Sequence, residues 1–169
     1  MSETEKRSLW PQLKALLIKI FIVALGAWVI FTFIFGIYRC NTVNMEPAFK
    51  DGDLVFYFRR FTDLSSGDVV IVQYKDELLI ERVVAVEGDT VDITERGLIV
   101  NGSHVQESRI YTETTQFSEG ISFPVEVPEG CVFLLGDNRE RATDSRIFGC
   151  AEIKDIKGTV VVFLRRRNL

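Results

Sequence analysis

Side chains able to carry out covalent or acid–base chemistry are sparse in this chain of 169 residues. His104 is the only histidine, and it follows the hairpin signal Asn101-Gly102, where a surface position is expected. The three cysteines form no CxxC pair, and the sequence has no cluster spaced for metal ligands. We therefore predict no metal site and no cofactor.

The cysteines at positions 40, 131 and 150 are an odd set, so at least one thiol is free or pairs between chains. Cys131 and Cys150 could form a disulfide in an oxidising compartment. Their spacing alone does not establish it, because bridging needs Cα atoms within about 7 Å. No histidine has a pattern-based reason to lie near Cys40 or Cys150, which favours structural roles for both.

Four ordered segments carry a more specific pattern. They are residues 41–55, 67–70, 80–89 and 127–149, and the last contains Gly-Asp-Asn-Arg followed by Asp-Ser-Arg. Together they resemble the boxes of type I signal peptidases, membrane-anchored proteases that remove signal peptides on the outer face. The similarity covers the apolar N-terminal run and nearly all of residues 40–164, and the short middle region resembles the compact Gram-positive form.

The resemblance assigns catalytic positions that hold other residue types here. The family's nucleophilic Ser corresponds to Asn44, and its general-base Lys corresponds to Glu81. The Ser that orients the Lys corresponds to Ala142, and the Ser that helps the oxyanion hole corresponds to Thr42. The residues around these positions match the family, as in residues 136–139 and 144–146.

These departures remove the chemistry of a Ser–Lys dyad, in which a neutral amine takes the hydroxyl proton during attack. A carboxamide at position 44 is no useful nucleophile, and Ala142 cannot orient a base. An unpaired Glu81 in an apolar groove would be costly, whereas the Asn44 amide can donate to it. We therefore predict an Asn44–Glu81 hydrogen bond; activation of Thr42 by Glu81 is the less favoured alternative.

A binding surface is predicted around the same positions. An extended segment would lie in a groove formed by residues 42–46 and 79–85, as extended peptides do along strand edges. Arg82, Asp144 and Arg146 are predicted to form a buried ion network. The predicted binding residues are Met45, Pro47, Leu79, Val83, Asp144 and Arg146.

The elements that must position these residues begin with an uncharged apolar run. Residues 20–38 could cross the roughly 30 Å hydrocarbon layer as a helix, with Tyr38 at the interface. Neither a cleaved signal peptide nor a buried core helix fits its length and its lack of a polar stripe. Lys6, Arg7, Lys14 and Lys19 precede it, so the N-terminus is predicted to be cytoplasmic.

The remaining chain predicts a compact domain of mostly antiparallel β-strands, and the fold class is mainly β. We expect a cytoplasmic stub over residues 1–19, a transmembrane helix over 20–38 and an extracytoplasmic domain over 39–169. Residues 105–124 are the least patterned and suggest an exposed excursion. Strands are predicted at 54–58, 69–74, 78–86, 90–94, 98–100, 131–135 and 159–164.

Three functions remain open from the sequence. The net charge of −4 argues against nucleic acid. The favoured interpretation is a non-catalytic protein similar to the degenerate signal-peptidase-like proteins of Gram-positive pilus clusters. The resemblance implies pilin or other exported segments as partners, with a class C sortase beside them. The alternatives are an active signal peptidase with an unusual catalytic pair and a scaffold for a sortase or a true signal peptidase.

Overall fold

The computed structural model describes residues 3–61, 63–108 and 110–165, with side chains from residue 9 onward. The ends of the predicted segments 1–19 and 39–169 lie outside these residues. The chain divides into two compact units, Met1–Gly36 and Ile37–Leu169.

The first unit is dominated by one long helix, α1 (Glu3–Phe33). Within its stretch Leu9–Phe33, the most apolar 18 residues have a mean hydropathy of 2.4, and none of them is buried inside the protein. By length and composition this helix is able to cross a membrane, which agrees with the predicted anchor.

The predicted helix over residues 20–38 ends too late. In the structure α1 ends at Phe33, and Phe35–Arg39 forms strand β1 with alternating burial. Tyr38 is buried, and its hydroxyl donates to Asn41 Oδ1 at 2.7 Å and to the Leu78 carbonyl at 2.9 Å. The predicted interfacial position of Tyr38 was therefore wrong, because its ring packs into the β domain.

The second unit is built on a seven-stranded sheet of order β1-β2-β11-β3-β4-β9-β10. From β2 to β10 in this order, each strand pairs antiparallel with the next. The predicted fold class is thereby confirmed. After β1, the strands of this sheet are β2 (Leu54–Phe58), β3 (Val69–Tyr74), β4 (Glu77–Val86), β9 (Cys131–Leu135), β10 (Ala151–Glu152) and β11 (Ile156–Leu164).

A smaller sheet of order β7-β6-β5-β8 follows β4. Its strands are β5 (Thr90–Thr94), β6 (Gly97–Val100), β7 (Ser103–His104) and β8 (Val125–Glu126). The predicted hairpin signal lies between β6 and β7, where Asn101 and Gly102 have φ of 52° and 74°. Two successive positive φ values are what a type I′ turn requires. His104 is exposed, as predicted.

Three apolar clusters fill the β domain, and β4 contributes to each of them. Ile80 packs in the first, Leu79 and Val83 in the second, and Ala85 in the third. A short helix, α2 (Ser145–Phe148), follows the Gly-Asp-Asn-Arg segment and is capped by the Asp144 carboxylate, which accepts from the Arg146 amide. Its contact with β9, the neighbour of β4, brings the third box close to the strand that carries Glu81.

Candidate functional site

Asn44 lies in a loop that the third box holds in place. The backbone N–H of Asn138 donates to the Asn44 carbonyl at 2.8 Å, and the Asn138 side chain donates to the Val43 carbonyl at 3.1 Å. Met45 is buried, and its sulfur accepts from the Asp137 amide at 3.3 Å. The segments that carry the first and third boxes of the sequence pattern are therefore in direct contact.

The predicted hydrogen bond between Asn44 and Glu81 is present. Asn44 Nδ2 donates to Glu81 Oε1 at 2.6 Å, and the same nitrogen lies 3.5 Å from the Thr143 carbonyl. Glu81 lies on β4 opposite Val70 and is 0% exposed, while Asn44 is 5% exposed. Positions 44 and 81 thus form a buried contact that solvent does not reach.

Burial is the main reason that the pKa of Glu81 lies well above its ordinary value. Repulsion from the Asp144 carboxylate raises this pKa further, while the Asn44 hydrogen bond and Arg146 lower it. The neutral acid is therefore favoured over a range where an exposed glutamate is ionised. Among the described residues, Glu81 Oε2 and Thr42 Oγ1 are the two buried side-chain oxygens without a hydrogen-bond partner.

Ala142 and Gly136 close the site from the third box. Ala142 is 2% exposed, and its amide donates to the Asn138 carbonyl at 2.9 Å. A Cβ placed on Gly136 would lie 2.4 Å from Ala142 Cβ, 2.6 Å from the Asn44 carbonyl oxygen and 3.1 Å from Glu81 Oε2. The three altered positions therefore converge on one glycine, and the space between them is filled.

The predicted ion network has a different partner for Arg82. Arg82 forms two hydrogen bonds to Asp137, from Nε at 2.8 Å and from Nη2 at 2.6 Å, rather than one to Asp144. Asp144 and Arg146 do pair, through contacts of 2.9 and 2.8 Å, and both are 0% exposed. The difference arises because Arg82 and Glu81 are neighbours on a strand and project to opposite faces of the sheet.

Arg139 and its partners contribute to the site although no role was predicted for them. Arg139 is buried, contacts Glu107 and Thr114 through Nη1, and donates from Nε to the Gly136 carbonyl at 2.9 Å. Its place in the Gly-Asp-Asn-Arg run was the available signal. Glu107 lies in a segment without pattern, so only the fold could identify it.

The segment over residues 105–124 is exposed in most of its described part, but it is not a free excursion. Thr114 is buried, and Arg146 donates to the Thr115 carbonyl at 3.1 Å and stacks over the Phe117 ring at 4.2 Å. Gly120 lies close to the Arg146 carbonyl, since a Cβ there would approach that oxygen to 2.3 Å. Two buried arginines of the third box therefore fix this segment to the β domain.

The predicted binding side chains are mostly in the core. Pro47 is exposed. The side chains of Leu79 and Val83 fill an apolar cluster, and Met45 another, so they cannot line an open groove in this conformation. The side chains of Asp144 and Arg146 are engaged in an ion pair with each other.

Part of the β4 backbone nevertheless has no strand partner on one side in the described part of the chain. β4 pairs with β3 from Glu77 to Arg82, whereas its pairing with β9 starts only at Arg82. The β9 side of residues 78–80 therefore has no strand partner among the described residues. The backbone of Val83 lies outside this edge, because its N–H and carbonyl bond to Asp68 and Gly67. Of the predicted groove over 79–85, only residues 79 and 80 thus have an unpaired strand edge, and this edge is covered here, since Leu79 and Ile80 are 4% and 1% exposed.

The site buries the Glu81 carboxyl group and hydrogen-bonds to it, but it offers no activated nucleophile at position 44. The nearest hydroxyl in sequence, at Thr42, is buried and unpartnered. Cys40 is 1% exposed, and burial raises the pKa of its thiol to about 11. The described residues contain no group of His, Cys, Asp and Glu able to hold a metal ion.

Comparisons with known proteins place this arrangement in context. The family model described as "Signal peptidase, peptidase S26" matches residues 13–164. A "Signal peptidase I" from Bacillus licheniformis is 32% identical over 171 aligned positions, covering 94% of this chain and 89% of the relative. A "Signal peptidase I V" from Bacillus subtilis strain 168 is 31% identical over 137 positions, covering 73% and 82%.

A solved structure adds agreement in fold. The crystal structure of a signal peptidase I from Enterococcus faecalis V583 superposes with a TM-score of 0.51 at 23% identity. The match covers 60% of this chain and all of that one. The family match, the relatives and the shared β fold agree with the four boxes, and the chain belongs to the signal peptidase I family, peptidase S26.

Proposed function

We propose that this protein is a non-catalytic member of its family, which binds an extended segment of an exported protein without cutting it. The observation that carries the proposal is the buried Asn44–Glu81 hydrogen bond of 2.6 Å beside Ala142. The nucleophile, the general base and the orienting hydroxyl are all replaced, so no residue at the family's catalytic positions can carry out the covalent step.

The unpaired edge of β4 supports a binding role. An extended chain can pair with the backbone at residues 79 and 80, where β9 does not reach, once the groups that bury these residues move aside. Such pairing uses main-chain hydrogen bonds and needs neither member of the lost dyad. A protein that keeps the sheet therefore keeps a strand edge for docking, even without a catalytic pair.

The apolar helix supports action at a membrane. We infer a single crossing with the N-terminus in the cytoplasm, because lysines and arginines are more frequent before the apolar run than after it. The β domain then lies on the outer face, where exported proteins emerge.

We further infer that the bound proteins are pilins or other exported proteins and that the protein assists pilus assembly by a class C sortase. This inference rests on the degenerate boxes, which resemble those of signal-peptidase-like proteins in Gram-positive pilus clusters. Pull-down of the full chain from solubilised membranes should recover pilin. Recovery of sortase or of a true signal peptidase without pilin would indicate a scaffold instead.

A cleavage assay with a secretory precursor tests the loss of catalysis. The full chain in detergent should leave the precursor intact. The double variant Asn44→Ser, Glu81→Lys should remain weak, because Ala142 cannot support the new lysine. Addition of Ala142→Ser should give the highest cleavage of the series, which provides a matched positive control.

An active signal peptidase with an unusual catalytic pair is the second candidate. Two observations favour it: the relatives are named signal peptidase I, and Thr42 Oγ1 and Glu81 Oε2 are both buried without partners. In that case the unmodified chain would cut the precursor and Thr42→Ala would abolish the cut. That pair of results would overturn the non-catalytic proposal.

A further inference from the structure

Cys131 and Cys150 lie on the same side of two neighbouring strands, away from the Asn44–Glu81 contact. In the β9–β10 pair, Val132 is opposite Ala151 and Cys131 is opposite Glu152. Cys150 directly precedes β10. Because side chains alternate along a strand, Cys150 projects to the same face as Glu152, and hence as Cys131.

The two cysteines are diagonal neighbours rather than directly opposed residues. Diagonal pairs in an antiparallel ladder have Cα atoms roughly 7–8 Å apart, with Cβ atoms closer, and the right-handed twist shortens one of the two diagonals. A disulfide needs Cα atoms within about 7 Å, so a small approach of the two strands suffices.

The structure around Cys150 permits that approach. β10 has two residues and lies at the edge of its sheet, so one side of it is unconstrained by a strand. Both thiols pack against the same apolar cluster and are partly exposed. Burial, followed by the neighbouring Cys131, raises the pKa of the Cys150 thiol, which is consistent with their proximity.

Cys40 provides an internal contrast. It is 1% exposed and packs in a different apolar cluster, beside Tyr38 and Val55. A thiol buried to this extent has little access to reagents, whereas Cys131 and Cys150 are both partly exposed. The three cysteines therefore divide into one inert thiol and one adjacent, accessible pair.

We propose that Cys131 and Cys150 form a redox modification site that closes to an intramolecular disulfide in the presence of a low-molecular-weight disulfide or a disulfide-bearing oxidoreductase. One cysteine thiolate attacks the oxidant's S–S bond, forms a mixed disulfide and releases one thiol. The second thiolate then attacks the protein sulfur of the mixed disulfide and releases the other thiol. The protein loses two electrons and two protons, and the oxidant becomes two thiols.

Closure would constrain the segment that positions the former catalytic loop. Residues 132–149 lie between the two cysteines, and they include Asn138, Ala142, Asp144 and Arg146. Asn138 is the residue that holds the Asn44 backbone. Linking the ends of this segment restricts the unfolded chain, so the oxidised domain should melt roughly 5–10 °C above the reduced one.

The test uses the full chain in detergent micelles, reduced, desalted and then incubated with oxidised glutathione. After denaturation and maleimide labelling, mass spectrometry should find one adduct on the oxidised chain and three on the reduced chain, which has three cysteines. Peptide mapping should join the peptides that contain Cys131 and Cys150. The melting temperature should rise on oxidation and return with dithiothreitol.

Three variants separate this pair from unspecific oxidation. Cys40→Ser should still close the bond, whereas Cys131→Ser and Cys150→Ser should each keep a glutathione adduct on the remaining thiol. Three maleimide adducts after oxidation, or disulfides only between chains, would overturn the proposal. If a serine variant does not fold, the peptide map of the unmodified chain decides the question alone.

Discussion

The buried centre of this protein contains two groups of polar side chains that differ in how well they are satisfied. Arg82, Arg139 and Arg146 each pair with a carboxylate, and the last pair is completely buried. Asn44 and Glu81 also contact each other, but Glu81 Oε2 and Thr42 Oγ1 have no partner among the described residues. The first group matches the signal peptidase pattern, and the second departs from it.

The difference indicates which positions folding constrains. Removal of one member of a buried ion pair leaves an uncompensated buried charge. The requirement for a stable fold therefore constrains these residues, whatever the function of the protein. Catalysis constrains the dyad positions in an active serine enzyme, whereas a non-catalytic protein of the proposed kind needs only to avoid a buried lone charge there. A neutral glutamic acid beside an amide meets that weaker requirement.

The largest expected effect comes from breaking the buried pair. Asp144→Ala leaves Arg146 without its carboxylate and uncaps α2, so the free energy of unfolding should fall by about 3–5 kcal/mol. Urea denaturation measures it. Glu152→Ala is the control, because the Glu152–Lys154 pair is 55% and 71% exposed and should leave the midpoint unchanged. Equal losses in the two variants would contradict the comparison.

A smaller loss is expected at the altered dyad. Asn44→Ala removes the amide that donates to Glu81 and should cost about 1.5–3 kcal/mol of unfolding free energy. A double-mutant cycle with Glu81→Ala isolates the coupling between the two side chains. A coupling near zero would mean that the 2.6 Å contact contributes nothing to stability.

The pH dependence of stability tests the state of Glu81. Folded Glu81 keeps its proton above the ordinary pKa of 4.5, whereas the unfolded chain releases it there, so stability falls as pH rises from about 4.5 until the folded carboxyl also ionises. The loss is about 1.4 kcal/mol per pH unit in that window. Glu81→Gln should lack this component, so its advantage over the unmodified chain should grow with pH. A constant difference between the two from pH 4.5 to 8 would refute a raised pKa.

The smallest effect concerns the unpartnered hydroxyl. Thr42→Val keeps the shape and removes a buried oxygen without a hydrogen bond, so it should be neutral or stabilise the fold by up to about 1 kcal/mol. Thermal denaturation of the variant measures the change. Destabilisation beyond about 1 kcal/mol would show that Thr42 has a partner in solution.

Most of the β domain could be predicted because alternating apolar residues and turn residues are local signals. β2, β3, β5 and β9 have the bounds that the sequence indicates. The end of α1 was wrong because residues 34–38 are as apolar as the helix before them, and composition does not distinguish a buried strand from a membrane helix. Only the tertiary contact of Tyr38 with Leu78 decides the matter.

The site was predictable to the extent that chain order identifies equivalent positions. The Asn44–Glu81 contact could be predicted because these residues align with the catalytic serine and lysine, which lie side by side in signal peptidases. The partner of Arg82 and the contact of Arg139 with Glu107 depend on which face of a strand meets which loop. The sequence contains no local signal for such long-range choices.

The carboxamide at position 44 also has a pharmacological consequence. Compounds that inactivate serine hydrolases by acylation need a hydroxyl oxygen to receive the acyl group. Asn44 supplies none, and its nitrogen is engaged by Glu81 in a buried contact. A compound that acylates the serine of a signal peptidase should therefore leave this protein unmodified, and mass spectrometry of the treated chain would show it.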